Sequence, residues 1–232
     1  MTIKAFFVDV GNTLVREVPS RFAIYAECAR SHGIEVGTPD MAALMRRAHA
    51  EIPSRVGGAF RYTDPWFAAY IERIFHHHLG LERALMPDLS RALFARFADP
   101  ATFELHLGAL EILEAARARG LVVGVISNWS ARLPGLLQAL GVAERVDFVL
   151  CSAILELEKP DPEIFLRALH LAGVRPDEAL HAGDDLEKDV LGAQRVGIHA
   201  VLVDHAGDRA HLSCPRAGSL AELMDQLERL AA

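Results

Sequence analysis

The sequence predicts an α/β fold: a doubly wound, mainly parallel sheet carrying an inserted all-helical domain. Three observations predict it. Five short apolar runs, at 3–9, 122–127, 147–152, 178–183 and 199–204, have the length of strands buried on both faces. From about residue 100 onward these runs alternate with helical patterns, as in a parallel sheet covered on both sides. Between the first run and the second, residues 16–98 show helical spacing with no strand pattern.

Each element has its own signal. "IKAFFVD" is the first strand, and the apolar run ends in a carboxylate, Asp9. Four helices follow in "RFAIYAECARSHG", "DMAALMRRAHAEI", "DPWFAAYIERIFHHHLG" and "DLSRALFARF". Linkers near 15–20 and 97–103 join this insert to the rest, which predicts a core domain of 1–15 plus 99–232 and an inserted helical domain of 16–98. "ALEILEAARARG" is a helix stopped by Gly120. Another starts near Leu133, with Pro134 in its first turn, and runs to Gly141. "DPEIFLRALHLAG" opens with Pro162 and closes at Gly173, and "SLAELMDQLERLAA" carries a Ser219–Glu222 capping box.

Composition narrows the function. Of 232 residues 51% are hydrophobic and 24% charged, enough apolar material for a sizeable core. A net charge of -7 argues against nucleic acid, whose binding is driven by Lys and Arg. Lysine occurs only at Lys4, Lys159 and Lys188, so a well-placed lysine is informative. Cys28, Cys151 and Cys214 are far apart and form no CxxC pair, which suggests neither a disulfide framework nor a zinc ribbon. "MTIKAFF" does not resemble a signal peptide, and no apolar run approaches the ~18 residues that span a bilayer. A cytoplasmic, soluble protein with no membrane contact is expected. Adjacent residues on a helix point about 100° apart, so His76, His77 and His78 cannot all converge on one ion, and a polar helix end is expected there. Trp66 is expected in the core of the insert.

The chemistry-bearing residues lie at or just after the ends of the apolar runs: Asp9, Ser127, Lys159 and Asp184. In open parallel sheets ligands bind outside the carboxyl ends of the strands, so the four can meet. A carboxylate can act as a nucleophile, a hydroxyl can donate to a phosphoryl oxygen and a lysine can neutralise developing charge. Clustered carboxylates can hold Mg²⁺. Phosphoryl transfer needs mostly such positioning and electrostatics.

The ordered motifs "DVGNTL", "ISN", "EKPDPEIF" and "GDDLEKDVLGA" resemble those of the haloacid dehalogenase-like (HAD) hydrolase superfamily. The insert resembles its helical cap, in the group that includes phosphoglycolate phosphatases and haloacid dehalogenases. The resemblance implies a Rossmann-like core and a magnesium-dependent phosphatase acting on a small phosphorylated substrate. Asp9 would form an aspartyl-phosphate and bind Mg²⁺. Ser127 and the Asn128 amide would hold the phosphoryl group, and Lys159 would stabilise the charge between nucleophile and phosphate. Asp184 would ligate the metal, with Asp185 and Asp189 in support. The insert would act as a lid, with Arg16, Arg21, Arg55 and Arg61 as candidates for gripping an anionic tail.

Gly11 departs from the family pattern, whose phosphatases have a second Asp there to protonate the leaving group. The metal contact at this position is made through the backbone carbonyl, which Gly11 can still supply. Dehalogenases also lack that Asp, but they replace the acidic fourth motif, whereas Asp184, Asp185 and Asp189 are all present. Phosphonoacetaldehyde hydrolases use a cap lysine, and 16–98 contains none. Two readings follow. One is a phosphatase of reduced activity, with another acid such as Glu17 or a substrate group in the missing role. The alternative is a catalytically inactive HAD-like protein that binds a phosphorylated ligand or partner.

Overall fold

The computed structural model describes residues 2–231. Along the chain, β1 (Ala5–Val8) is followed by β2 (Val15–Glu17), α1 (Arg21–Arg30), α2 (Thr38–Glu51), β3 (Arg55–Val56) and β4 (Ala59–Phe60). Next come α3 (Asp64–Glu72), a π-helical turn at Arg73–His78, α4 (Met86–Ala98) and β5 (Phe103–Leu105). Then α5 (Ala109–Ala118), β6 (Val122–Ser127), α6 (Leu133–Ala139), β7 (Phe148–Cys151), α7 (Ser152–Leu155) and α8 (Pro162–Ala172) follow. The chain ends with β8 (Ala179–Gly183), a π-helical turn at Leu186–Leu191, α9 (Gly192–Gln194), β9 (His199–Val203), β10 (Arg216–Ala217) and α10 (Leu220–Ala231). No described helix is long and apolar enough to cross a membrane.

Two compact units result, one holding residues up to Arg16 and from Leu105 onward, the other Glu17–Glu104. In the first, six parallel strands run in the order β10-β9-β8-β1-β6-β7. All four residues of β1 are fully buried, as expected of a strand with neighbours and helices on every side. Burying a Phe such as Phe6 or Phe7 contributes about 1.5–3 kcal/mol. Register explains one glycine. Phe7, Gly124 and Phe148 are adjacent across β1, β6 and β7, and a Cβ on Gly124 would come 2.3 Å from the Phe148 ring. The bare strand is what lets Phe148 lie over it, 5.9 Å from Phe7.

Register also sets the functional edge. Val8 pairs with Val125 on one side and Ala182 on the other, so the residues that follow β1, β6 and β8 emerge together. The ladder continues one residue further, with the Asp9 N–H donating to the Ala182 carbonyl at 2.9 Å. The helix before β8 begins and ends on local chemistry: Asp161 caps α8 by accepting from the Glu163 N–H at 2.9 Å, and Gly173 leaves it at φ 66°. In the expected capping box of α10, Ser219 accepts from the Glu222 N–H, while Glu222 reaches back one residue further, to the Gly218 N–H.

The second unit has its own core, with Trp66 stacked on Tyr70 at 5.4 Å and its Nε1–H on the Pro53 carbonyl. It differs from an all-helical insert by one hairpin, β3–β4, closed by Gly57 (φ 56°) and Gly58 (φ 85°). Two consecutive left-handed residues make the tight turn that matches strand twist, which glycine adopts without steric cost. The three histidines do not share one centre: His76 Nδ1 is 2.7 Å from the Leu81 carbonyl, with the His77 ring 4.9 Å from its own, while His78 Nε2 is 3.1 Å from Glu51. Three short strands also lie outside the predicted runs. β2 pairs with β5, and β10 joins the sheet edge beside β9. With two or three residues each, they show no periodicity to read.

Candidate active site

Asp9, one residue past β1, is 5% exposed and lies where three strand ends meet. Its Oδ1 accepts from the Ser127 hydroxyl at 3.0 Å and from Lys159 Nζ at 2.7 Å. Ser127 is the last residue of β6, and the register that pairs β1 with β6 delivers it. Lys159 comes from the loop before α8 and is 2% exposed. A second carboxylate, Asp189 on the π-helical turn after β8, holds the same ammonium at 2.5 Å. Burial by itself would neutralise Lys159, but the charges of Asp189 and Asp9 outweigh it and hold the amine protonated, above its usual range. Burial pushes Asp9 up, against the opposing pull of Lys159.

Asp189 has a shaped seat. A Cβ on Gly183 would fall 2.2 Å from the Asp189 carboxyl carbon, so only glycine at the end of β8 lets the carboxylate lie against the strand. Its Oδ2 accepts from the Asp185 N–H at 3.1 Å, and its Oδ1 meets His181 Nε2 at 2.9 Å. Burial would raise Asp189, yet Lys159 and the His181 hydrogen bond hold it well below the usual carboxylate range.

One oxygen from each of Asp9, Asp184 and Asp189 lies within 4.8 Å of the others. Three carboxylates against one ammonium leave two negative charges unbalanced. Burial, with Asp9 and Asp189 close by, pushes Asp184 up to about 7. An all-oxygen cluster short of two positive charges suits a hard divalent cation. These residues therefore fit a metal ion.

Other expected residues occupy different places. The Asn128 side-chain amide does not face the cluster: its Oδ1 accepts from the Lys159 N–H at 2.8 Å and its Nδ2 donates to the Lys159 carbonyl at 2.9 Å. It clamps the lysine loop to the end of β6, so any grip on a phosphoryl group falls to its main chain. Asp185 is committed locally. Its carboxylate caps the turn through the Glu187 and Lys188 N–H groups and pairs with Lys188 Nζ at 3.0 Å. It is not part of the close group formed by Asp9, Asp184 and Asp189. Gly11 lies in a tight loop in which the N–H groups of Thr13, Leu14 and Val15 converge on the Val10 carbonyl. Glu17 is bound to Arg21 at 2.6 Å, which makes it a poor stand-in acid. Arg55 bonds the Gly58 carbonyl, and Arg61 lies over the Trp66 ring. Both are thus engaged within the insert.

Two residues at the site escaped the sequence reading. Asn12 takes the left-handed conformation of the loop (φ 55°) and donates to Asp184 Oδ2 at 3.3 Å. His181 is fully buried inside β8. The signal for the first was an Asn after Gly, a pair suited to φ > 0, and for the second a titratable residue within an apolar strand.

Known proteins resemble this chain in sequence and in fold. The family described as haloacid dehalogenase-like hydrolase matches residues 3–197. Haloacid dehalogenase-like hydrolase domain-containing protein 3 of Bos taurus is 34% identical over 199 residues, covering 84% of this chain and 79% of its own. Phosphoserine phosphatase of Thermus thermophilus is 30% identical over 225 residues, covering 87% of this chain and 89% of its own. In fold, the chain resembles a HAD phosphatase from Thermococcus onnurineus at TM-score 0.68 and 23% identity, over 97% of this chain and 98% of that one. The family match begins before Asp9 and ends beyond Asp189, so the whole carboxylate–lysine cluster lies inside it: the chain belongs to the haloacid dehalogenase-like hydrolases.

Proposed function

We propose that this protein is a magnesium-dependent phosphatase that hydrolyses small phosphate monoesters through an aspartyl-phosphate on Asp9. The observation that carries the reading is the one-sided pairing of that carboxylate. Among the described residues, both hydrogen bonds to its side chain go to Oδ1, from Ser127 and Lys159. The carboxylate is thereby fixed in orientation while Oδ2 keeps its lone pairs. Asp9 attacks phosphorus, forming an O–P bond as the bond to the ester oxygen breaks, and the departing oxygen takes a proton from solvent water. The Ser127 hydroxyl turns to a phosphoryl oxygen, and the Lys159 ammonium spans the negative charge shared by nucleophile and phosphate. Water then attacks phosphorus and gives up a proton to solvent as the O–P bond to Asp9 breaks, releasing phosphate and restoring the carboxylate. Asp9, Asp184 and the Gly11 carbonyl would hold Mg²⁺, with Asp189 beside them. When bound, the ion supplies positive charge against the phosphoryl oxygens.

The relatives named as phosphatases support this reading, among them the phosphoserine phosphatase and a ribulose-1,5-bisphosphate 5-phosphatase of Halopiger xanaduensis. A panel of phosphate esters, assayed with and without Mg²⁺, tests it. Metal-stimulated phosphate release from any ester supports the proposal. Silence across the panel, combined with tight binding of a phosphorylated compound, favours the non-catalytic reading that the bare Gly11 position suggests.

Metal removal is expected to abolish turnover while leaving far-UV circular dichroism unchanged, because the sheet core is apolar and Lys159 already pairs two of the acids. Mg²⁺ should raise the melting temperature in a concentration-dependent way, since it binds only the folded cluster. A purified protein carrying a transition metal on histidines would contradict the assignment.

Gly11→Asp should restore the missing leaving-group acid. Such groups are worth about 10²–10⁴-fold, and the gain should fall on alkyl phosphates, whose alkoxides need a proton. It should be small for p-nitrophenyl phosphate. The left-handed strain of this loop sits on Asn12 rather than Gly11, which favours a folded variant. A stable Gly11→Asp protein with no gain on any alkyl phosphate would mean the site has been remade around the glycine.

A further inference from the structure

His181 is the one buried imidazole bonded to the catalytic cluster among the described residues, and the mechanism above makes no use of it. It sits in the middle of β8, between Phe7 on β1 and Ala200 on β9, with no exposed surface. The Phe165 ring meets it edge-on, with centroids 5.3 Å apart. Its surroundings are those of an aliphatic or aromatic side chain, yet its Nδ1 is buried with no hydrogen-bond partner. An apolar residue would avoid that cost. The other nitrogen, Nε2, lies 2.9 Å from Asp189 Oδ1. That oxygen also receives the Lys159 ammonium, and an ionised carboxylate only accepts. Nε2 must therefore carry the proton and donate, leaving Nδ1 as the bare lone pair in the core.

Resting on the phosphatase reading, we propose that His181 is a positioning residue, whose Nε2–H holds Asp189 in the one orientation that keeps the Lys159 ammonium on Asp9. The geometry supports a chain of contacts from the core outward. His181 and the Asp185 N–H each take one oxygen of Asp189, so the carboxylate cannot rotate. Its Oδ1 then draws Lys159 Nζ to 2.5 Å, and the same ammonium is delivered to Asp9 at 2.7 Å. Without the imidazole donor the Asp189 side chain loses one of its two fixed ends. Hydrogen-bond partners that orient a functional side chain in this way commonly matter by about 10–100-fold when removed.

The test compares His181→Phe, which keeps an aromatic ring against Phe165 but removes the donor, with His181→Gln, whose amide can offer an N–H to the same oxygen. His181→Leu serves as a second donor-free variant should the phenylalanine not fold. The first readout is turnover. His181→Phe should lower kcat by about 10–100-fold while KM changes little, and His181→Gln should recover most of that loss. A residue that only fills space would shift melting temperature without this rescue. The second readout does not need activity. The chain has three lysines, of which Lys4 and Lys188 have side chains 60% and 42% exposed and Lys159 only 2%. In protein labelled with ¹⁵N-lysine, the shielded Lys159 ammonium should give the one slowly exchanging signal. That signal should persist in His181→Gln and shift or broaden in His181→Phe. Folded donor-free variants with unchanged kcat and an unchanged ammonium signal would overturn the positioning role. If the wild-type protein hydrolyses no phosphate ester, the phosphatase reading fails, and the ammonium signal alone decides whether His181 positions Lys159.

Discussion

Asp9→Asn protein is expected to release no phosphate above background from any ester the wild type hydrolyses. The substitution keeps the shape of the side chain and one carbonyl oxygen. It removes the negative charge proposed to attack phosphorus and weakens one corner of the three-carboxylate cluster. Loss of a covalent nucleophile elsewhere costs about 10⁶-fold in kcat, which under the proposed mechanism, with Gly11 in place of the usual acid, means no measurable rate. The fold should survive, because Lys159 retains Asp189 as a partner and the Asn amide can still accept from Ser127. Steady-state phosphate release, with melting temperature measured on the same preparation, checks both halves. Wild-type turnover in pure Asp9→Asn protein would end the covalent mechanism.

The second large effect is on stability. Lys159→Met should fold poorly without metal, because it leaves the buried carboxylates of Asp9 and Asp189 facing each other with no cation between them. Breaking a buried ion pair from one side costs about 3–5 kcal/mol, and at about 2–4 °C per kcal/mol for a chain of this size the midpoint should drop by roughly 6–20 °C. Methionine fills much of the lysine stem's space, so the loss is electrostatic rather than a cavity. Two controls separate the causes. Adding Asp189→Asn to Lys159→Met should return part of the stability by removing one unpaired charge. Mg²⁺ should stabilise Lys159→Met more than it stabilises the wild type, since it supplies the missing positive charge. An unchanged midpoint in Lys159→Met would mean that these carboxylates are already neutral in the native state.

Legibility in the sequence followed the length scale of each signal. The five apolar runs announced the parallel sheet because a strand buried on both faces is apolar at nearly every position. The two-residue strands β3, β4 and β10 carry no such pattern, and their existence depends on what lies beside them. At the site, Asp9, Ser127 and Asp184 could be singled out because a charged or hydroxylated residue at the end of an apolar run has few structural reasons to be there, and Lys159 because lysine is scarce in this chain. Asn128 and Asp185 could not be sorted in the same way. Each is a polar residue next to a functional one, and only the direction of its side chain separates a phosphate contact from a loop clamp, or a metal ligand from a turn cap.

The sequence by itself determined the α/β class, the helical insert after the first strand, the kinds of group available for chemistry and the missing acid at Gly11. The first three are properties of composition, period and position along the chain, and the last is what the resemblance of the motifs implies. The tertiary structure alone decided which of those groups meet. β1 is central, between β6 and β8, and that order brings Asp9 beside Ser127 and within 4.8 Å of Asp184 and Asp189. It also decided that Gly183 opens a seat for Asp189 and that His181, read along the chain as one more strand residue, holds that carboxylate from beneath. The physical reason is that strand order and side-chain direction come from packing between segments far apart in sequence, whereas class and period are set by neighbours along the chain.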